Sequence, residues 1–309
     1  MNATGTSVRW GTVAMRLGLG VVLLAAVLWL LLRGPQTLAI AFVPMAWMVG
    51  FLGSIAANAV TALRWQLLSE AMTHTRLPYG VYFHHLATTR VIGQFLPSLV
   101  VDLLGRSASL RAAGSTETVG RLVVPLVLER ILDLVLPAVL LVWALALQQG
   151  LLTTFGAWSS LAVLVIVFAA LAVPTLAPLA SIALRLRRWF ARSDAPVEVP
   201  AVATALAVRI TGLSIARWAT VMLQYWGASA GLGVVLPALV LLAAAPLGQL
   251  AALVGITPGA LGLQEGGWAG ALTLMDVGPA DIAVFVIAAR AAMIVNFAVI
   301  AAASWHWRR

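Results

Sequence analysis

Nine ionisable side chains lie within long apolar stretches of the chain. They are Arg90, Asp102, Glu129, Arg130, Asp133, Arg209, Arg217, Glu265 and Arg290. On insertion scales an ionisable side chain at the middle of a bilayer costs roughly 2.5–3.5 kcal/mol, so such residues persist where they are paired or face a cavity. These arginines and carboxylates could form ion pairs that only hold helices together, or they could line a polar path for a substrate.

Glu129 and Asp133 are four residues apart, so both project from one face of a helix. Their negative charges repel unless a cation lies between them, and Arg130 or an arginine of another helix could supply that cation. A buried pair of carboxylates could also carry a proton. The sequence therefore leaves two interpretations of the pair: a structural clamp, or a site that couples to protons or to substrate.

Arg209 and Arg217 lie about two turns apart on one apolar helix. We expect Arg217 to extend outward to the membrane interface beside Trp218, because a long basic side chain can reach water from within a helix. Arg209 is placed too deep for a trivial interfacial role and too early in the helix to reach the far interface. We therefore predict that Arg209 faces a cavity.

Two apolar stretches each break at a proline and then carry a carboxylate. The first contains Pro97 followed by Asp102, and the second contains Pro258, Gly259, Gly262 and Glu265. Proline removes a backbone donor and glycine permits tight turns, so freed carbonyls and half-helix N-termini could face a polar group. Simple kinks without a ligand are the alternative. Broken segments at corresponding places in two halves of a chain point to the substrate site of a transporter built from repeats.

The composition defines an integral membrane protein. The chain has 309 residues, of which 62% are hydrophobic and 9% charged, and its mean hydropathy is +1.02. The longest polar stretch, 185–200, suits a loop, so we predict one membrane domain over 1–309. No catalytic or nucleotide-binding motif of a soluble enzyme occurs, and His84 and His85 would point to different faces of a helix. We therefore predict neither a cofactor nor a metal site.

Apolar runs of about 20 residues predict the membrane elements. Six runs are unbroken, and they cover roughly 14–33, 37–60, 120–147, 156–184, 201–227 and 281–304. The two broken runs, 80–105 and 233–275, would be re-entrant. This gives an all-α polytopic protein with eight membrane elements in two halves, 37–184 and 201–304, joined by 185–200. Because 233–254 is long enough to cross alone, eight full spans are the alternative.

All nineteen basic residues are arginines, and their positions predict the orientation. The positive-inside rule places both termini and the 61–79, 106–119 and 185–200 loops in the cytoplasm, in a plasma (inner) membrane protein. The first broken segment would then enter from the cytoplasm and the second from outside, as an inverted repeat requires. We expect the edge arginines to contact anionic lipid headgroups and not nucleic acid. A homo-oligomer or a partner in envelope biosynthesis stays open.

Four motifs recur in the order of a known family. They are Arg64-Trp65-Gln66-Leu67-Leu68, the Leu96-Pro97 break with Asp102 and Arg106, Glu129-Arg130-Ile131-Leu132-Asp133, and Pro258-Gly259-Ala260-Leu261-Gly262 with Glu265. Over roughly 60–300 the chain resembles the membrane domain of the lysylphosphatidylglycerol synthase/flippase family, in its stand-alone form without the aminoacyltransferase. It differs in having Val100-Val101 where the family usually has two glycines.

The resemblance implies lipid handling, because members of this family move a modified phospholipid between leaflets, and related stand-alone members are linked to hopanoid or polyprenol pathways. We expect an amphipathic lipid to be moved or presented between leaflets. The polar path would include Glu265, Glu129, Asp133, Arg90, Arg209 and Arg290. A membrane-embedded lipid transferase, or an accessory subunit of one, is the alternative, with Asp102 or His84 as general base. A purely structural scaffold would leave both breaks unexplained.

Overall fold

The computed structural model describes residues 10–33, 38–73, 75–191, 203–253 and 257–308. This part of the chain is helical and contains no β-strand, so the predicted all-α fold is confirmed. A π-helical segment, Val101–Gly105, joins α4 to α5. The helices are α1 Trp10–Leu32, α2 Pro44–Thr73, α3 Tyr79–Ile92, α4 Ser98–Val100, α5 Arg106–Ala112, α6 Val119–Gln148, α7 Thr154–Ala191, α8 Thr204–Gly231, α9 Ala238–Leu253, α10 Leu263–Leu274 and α11 Pro279–Ala303.

Five helices in the described ranges are long and apolar enough to cross a membrane. They are Pro44–Thr73, Val119–Gln148, Thr154–Ile182, Thr204–Gly231 and Pro279–Ala303. Each overlaps one predicted unbroken run. The sixth run falls on α1, whose apolar part, Gly18–Leu32, is shorter than a span by the same criteria. The helical membrane protein is thus confirmed, while the number of full spans stays a prediction.

Both broken runs contain two helical pieces with a non-helical connection. The first run holds α3 and the stretch of α4 with the π-helical segment, and the second holds α9 and α10. Residues 254–256, at the start of the second connection, lie outside the described residues. The interruptions predicted at Pro97 and Pro258 are therefore present, and a re-entrant path through the membrane stays a prediction.

The predicted loops are shorter than expected. Helix α2 continues through most of 61–79, and α5 occupies half of 106–119. Helix α7 extends to Ala191, so only 192–200 of the predicted linker lies beyond it, outside the described residues. The arginines that suggested loops are compatible with helix where carboxylates of other helices compensate their charge. Arg64 on α2 and Arg106 on α5 are both buried and paired in this way.

Helices α2 and α8 pack together with almost no side chain between them. A Cβ atom on Gly227 would lie 2.2 Å from the Gly50 nitrogen, and one on Gly53 would lie 2.6 Å from the Gln224 nitrogen. Small residues at helix interfaces in membranes allow this backbone approach, which increases van der Waals contact and replaces the missing hydrophobic drive. The first long helix of each predicted half therefore meets its counterpart directly.

Further contacts connect the two predicted halves in a matching pattern. Helix α6 packs on α9, and α11 packs on α3, so the long helix that follows the broken segment in each half contacts the broken segment of the other. The largest buried apolar cluster lies among α6–α11, and a second joins α2, α3, α6 and the end of α11. This packing places each break between helices of both halves, while their inverted orientation stays a prediction.

Candidate functional site

The two breaks contact each other through their backbones. Pro97 and Pro258 form an isolated antiparallel bridge, and the Gly259 N–H donates to the Leu96 carbonyl at 3.3 Å. Gly259 has a φ of +57°, and a Cβ atom there would lie 2.9 Å from the Gln94 Cα. The close approach of the Gln94 backbone excludes a side chain here, and the left-handed backbone also favours glycine.

Arg290 of α11 holds the two joined breaks. Its Nη1 donates to Gln94 Oε1 of the first break at 2.5 Å and to the Gly259 carbonyl of the second at 3.1 Å. Its Nε donates to Glu265 Oε1 at 2.8 Å, and its Nη2 pairs with the same carboxylate. One guanidinium therefore supports two segments that are far apart in sequence.

Glu265 also closes the N-terminus of α10. Its Oε2 accepts from the Gly262 N–H at 2.7 Å, which satisfies a backbone donor that the first helical turn leaves free. The residue is 4% exposed. With Arg290 on one oxygen and the helix cap on the other, Glu265 has a structural role in this conformation.

A buried ion cluster surrounds the Glu129 and Asp133 pair. Arg64 of α2 lies between them, with Nη2 3.0 Å from Glu129 Oε1 and Nη1 2.8 Å from Asp133 Oδ1. Arg64 is 0% exposed, and its Nη1 also donates to Ser214 Oγ at 3.0 Å. The predicted cation between the carboxylates is therefore present, and it comes from another helix. This geometry fits the structural-clamp interpretation.

Arg106 connects this cluster to the first break. It donates to both oxygens of Glu129, at 3.2 and 2.9 Å, and to Asp102 Oδ1 at 3.3 Å. Its guanidinium also lies over the Trp65 ring, 4.2 Å from the centroid. Arg130 pairs with the other oxygen of Asp102. Asp102 is thus paired with two arginines.

The structure reverses our expectation for the arginines of α8. Arg217 lies with Nη1 3.4 Å from Asp133 Oδ1, and both residues line one cavity. Arg209 is exposed and does not line that cavity. Eight residues make two turns plus about 80° of rotation, so the two side chains point in different directions. The prediction that Arg209 faces the cavity and that Arg217 extends outward is wrong.

Arg90 has no carboxylate partner within the described part of the chain. Its Nη1 donates to Asn58 Oδ1 at 3.4 Å and its Nη2 to Thr61 Oγ1 at 3.1 Å. The guanidinium lies 4.6 Å from the Phe297 ring centroid. Neutral acceptors and an aromatic face only partly compensate a half-buried charge. Arg90 is therefore available to an anion.

These side chains surround a cavity of about 160 Å³, which we name the polar cavity. Its charged lining residues are Arg90, Asp102, Arg106, Glu129, Arg130, Asp133 and Arg217. Neutral polar groups come from Thr61, Thr89, Gln94, Ser98, Tyr225, Gln249 and Gln264. Nine α-helices, the π-helical segment and both breaks contribute to its lining, so the polar cavity exists only in the folded chain.

The predicted site residues divide into three groups. Arg90, Asp102, Glu129, Arg130, Asp133 and Gly259 line the polar cavity. Pro97, Pro258, Gly262, Glu265 and Arg290 form or support the joined breaks beside it. Arg209 belongs to neither group. His84, the alternative general base, is buried and bonded to Ser304 Oγ at 3.1 Å, and it does not line the polar cavity.

Sequence reasoning missed Arg64, Arg106, Arg217 and Gln94 as site residues. Arg64 and Arg106 belong to the recurring motifs, which could have indicated a functional role, but their charge suggested loops. Gln94 had only its place beside the first break as a signal. Among the described residues no three His, Cys, Asp or Glu side chains are grouped closely enough to hold a metal ion.

Long apolar helices around a buried, charged cavity define a polytopic α-helical membrane protein with a polar site in its interior. A family model described as the lysylphosphatidylglycerol synthase TM region matches residues 14–301. The chain therefore belongs to this family, which confirms the resemblance found in the motifs. The family indicates a membrane protein of lipid metabolism or translocation. A search of curated proteins found no match.

Proposed function

We propose that the protein moves an amphipathic lipid between the leaflets of the plasma membrane, with both chain termini in the cytoplasm. The observation that carries this proposal is the polar cavity, because a space for several water molecules with charged walls is costly within an apolar protein unless a polar ligand uses it. Family membership supports a lipid as that ligand. The headgroup would occupy the polar cavity while the hydrocarbon chains stay in an apolar environment.

Two matched ion pairs support a path through the molecule. Each carboxylate that follows a break pairs with an arginine of the next long helix, Asp102 with Arg130 and Glu265 with Arg290. Arg130 and Arg290 each stand at the twelfth residue of their helix. If the halves are inverted, the two pairs lie at equivalent depths from opposite sides. A headgroup would then meet similar chemistry during entry and exit.

A leaflet-exchange assay tests the proposal. Purified protein in liposomes is mixed with fluorescent lipids, and a membrane-impermeant quencher reports the fraction that reaches the outer leaflet. We expect faster exchange with protein than in empty liposomes for at least one lipid class. Equal rates with and without protein for anionic, zwitterionic and cationic lipids would overturn the proposal.

The variant Glu265→Gln tests the site assignment in the same assay. Glutamine can still cap α10, but it removes the negative charge that balances Arg290, so we expect a folded protein with a lower unfolding temperature that no longer exchanges lipid. Glu117→Gln is the matched control, since Glu117 pairs with the exposed Arg121 outside the polar cavity. Full exchange by the Glu265→Gln protein would remove the joined breaks from the mechanism.

A further inference from the structure

We infer that the lipid carries a net anionic, phosphate-bearing headgroup, and that one of its hydrocarbon chains lies in an apolar groove beside the polar cavity. The inference rests on the proposed function and adds the chemical class of the substrate. Three observations support it: the balance of charge at the polar cavity, the partners of its carboxylates, and the position of the groove.

Positive charge exceeds negative charge around the polar cavity. The cluster contains Arg64, Arg90, Arg106, Arg130 and Arg217 against Asp102, Glu129 and Asp133. Two positive charges therefore have no carboxylate counterpart among the described residues, and Arg290 with Glu265 adds none. An anion in the cavity would balance this excess, which the carboxylates of the cavity do not. A cationic headgroup would increase it.

The carboxylates of the polar cavity are already occupied. Each one pairs with two arginines: Asp102 with Arg106 and Arg130, Glu129 with Arg64 and Arg106, and Asp133 with Arg64 and Arg217. An ammonium group would have to displace one of these arginines to reach a carboxylate. Among the described residues, the cavity therefore offers a cation no unpaired carboxylate.

Donors suited to a phosphate remain. Arg90 binds only neutral acceptors, and Arg130 and Arg217 keep 30% and 17% of their side chains exposed. The planar guanidinium group matches two phosphate oxygens at once, and it can donate several hydrogen bonds from one side. The side-chain amides of Gln249 and Gln264 each donate one hydrogen bond to the Tyr225 hydroxyl, and the second N–H of each could bind a further oxygen. This set of donors fits a phosphate group better than a neutral headgroup.

An apolar groove of about 400 Å³ lies beside the polar cavity, between α6, α7, α8 and α9. Its lining consists of Leu136, Leu140, Leu161, Val165, Ile215, Trp218, Ala219, Met222, Leu223, Trp226, Ala238, Leu241 and Leu242. The two sites adjoin along the helices, because residues three apart on one helix line one site each: Asp133 and Leu136 on α6, and Tyr225 and Met222 on α8. A single amphipathic molecule could therefore place its phosphate in one site and a hydrocarbon chain in the other.

Binding measurements in detergent test the headgroup. The probes are short-chain phosphatidic acid, phosphatidylcholine and ethylphosphocholine lipids with identical chains, together with inorganic phosphate, and tryptophan fluorescence reports binding. We expect the anionic lipid to bind about tenfold or more tightly than the cationic one, because charge-assisted hydrogen bonds form with only the former. Equal or tighter binding of the cationic lipid would overturn the inference. Inorganic phosphate that binds as tightly as the anionic lipid would also overturn it, since it would define a free-anion site.

Two pairs of variants locate the bound lipid. Arg90→Gln should weaken binding of the anionic lipid about tenfold, whereas Arg111→Gln, at an exposed position outside the polar cavity, should not. Ala219→Phe should fill the groove and weaken binding of every lipid, and Ala205→Phe, exposed on the same helix away from the groove, is its control. Unchanged affinity in Arg90→Gln would contradict the proposed position of the headgroup. Unchanged affinity in Ala219→Phe would contradict the proposed position of the hydrocarbon chain.

Leaflet exchange with the same three lipids separates this inference from the proposed function. Exchange of the cationic lipid without the anionic one would overturn the inference and leave lipid movement intact. Tight, Arg90-dependent binding of the anionic lipid without any exchange would overturn lipid movement and support the headgroup class. Exchange led by the anionic lipid is the result expected from both.

Discussion

Arg64 is the residue on which the interior ion cluster depends. It joins α2 to two carboxylates of α6 and to Ser214 of α8, and it is fully buried. Buried ion pairs contribute little net stability when they form, but removal of one partner is expensive because the other charge stays buried without compensation. The cluster is therefore sensitive to a single substitution at its centre.

We expect Arg64→Gln to reduce the free energy of unfolding by about 3–5 kcal/mol, because Glu129 and Asp133 would then repel each other with less compensation. Arg121→Gln should cost at most about 1 kcal/mol, since Arg121 forms an exposed pair with Glu117. Thermal unfolding of both purified variants in detergent checks the contrast. A similar loss of unfolding free energy in the two variants would contradict the dependence of stability on the buried ion cluster.

At the scale of the elements, the helix-to-helix distances depend on glycine. The contact of α2 with α8 is a backbone contact, and it fixes how closely the two predicted halves approach. Larger residues at this position would separate the helices and change the spacing of Arg64 from its partners on α6 and α8.

Gly227→Ala should lower the unfolding temperature, because the new Cβ would lie 2.2 Å from the Gly50 nitrogen and α2 would have to move. Gly212→Ala on the same helix has no atom within 4 Å of its new Cβ. That control should keep or raise the unfolding temperature, since alanine favours a helix over glycine by about 1 kcal/mol. Differential scanning fluorimetry compares the two variants, and equal shifts would contradict a tight α2–α8 contact.

Elements were more predictable from the sequence than their contacts. Apolar runs located the long helices because length and hydropathy are local properties, and both interruptions were visible as Pro/Gly clusters. Proline alone did not predict a helix break, since Pro125, Pro137 and Pro246 lie inside helices. Neighbouring helices can satisfy the carbonyls that such prolines release. A break therefore depends on tertiary context as well as on residue type.

Arg64 and Arg217 show what the sequence could not provide. A local drop in hydropathy suggested a loop at Arg64. Its carboxylate partners lie more than sixty residues further along the chain, so nothing near Arg64 indicated that its charge is paired. The direction of Arg217 depended on the rotation of α8 about its own axis, which the position of Asp133 on another helix decides. Ion pairs between distant charges decide the burial of Arg64 and the direction of Arg217, and residue spacing within one segment cannot predict such pairs.

At the scale of the whole molecule, the membrane orientation remains to be tested. Our prediction has six full spans, with the segment around Ser115 in the cytoplasm and the segment around Gln149 outside. Eight full spans would exchange these two sides, while the turn at Val277 would stay outside in both arrangements. The three positions therefore distinguish the topologies.

The chain contains no cysteine, so single-cysteine variants need no prior substitutions. We expect Gln149→Cys and Val277→Cys to react with an impermeant maleimide on intact cells, and Ser115→Cys to react after permeabilisation alone. Leu151→Cys repeats the Gln149 measurement at an exposed neighbouring position. Labelling of Ser115→Cys in intact cells, together with protection of Gln149→Cys, would favour eight spans.

The shared guanidinium of Arg290 has a mechanical consequence. Because one side chain binds Gln94, Gly259 and Glu265 together, neither break can withdraw without leaving donors of Arg290 or an acceptor unsatisfied in the interior. The two breaks should therefore separate from Arg290 in one cooperative step, and intermediate arrangements should be sparsely populated. Motion at one face of the membrane would then be communicated to the other through a single arginine.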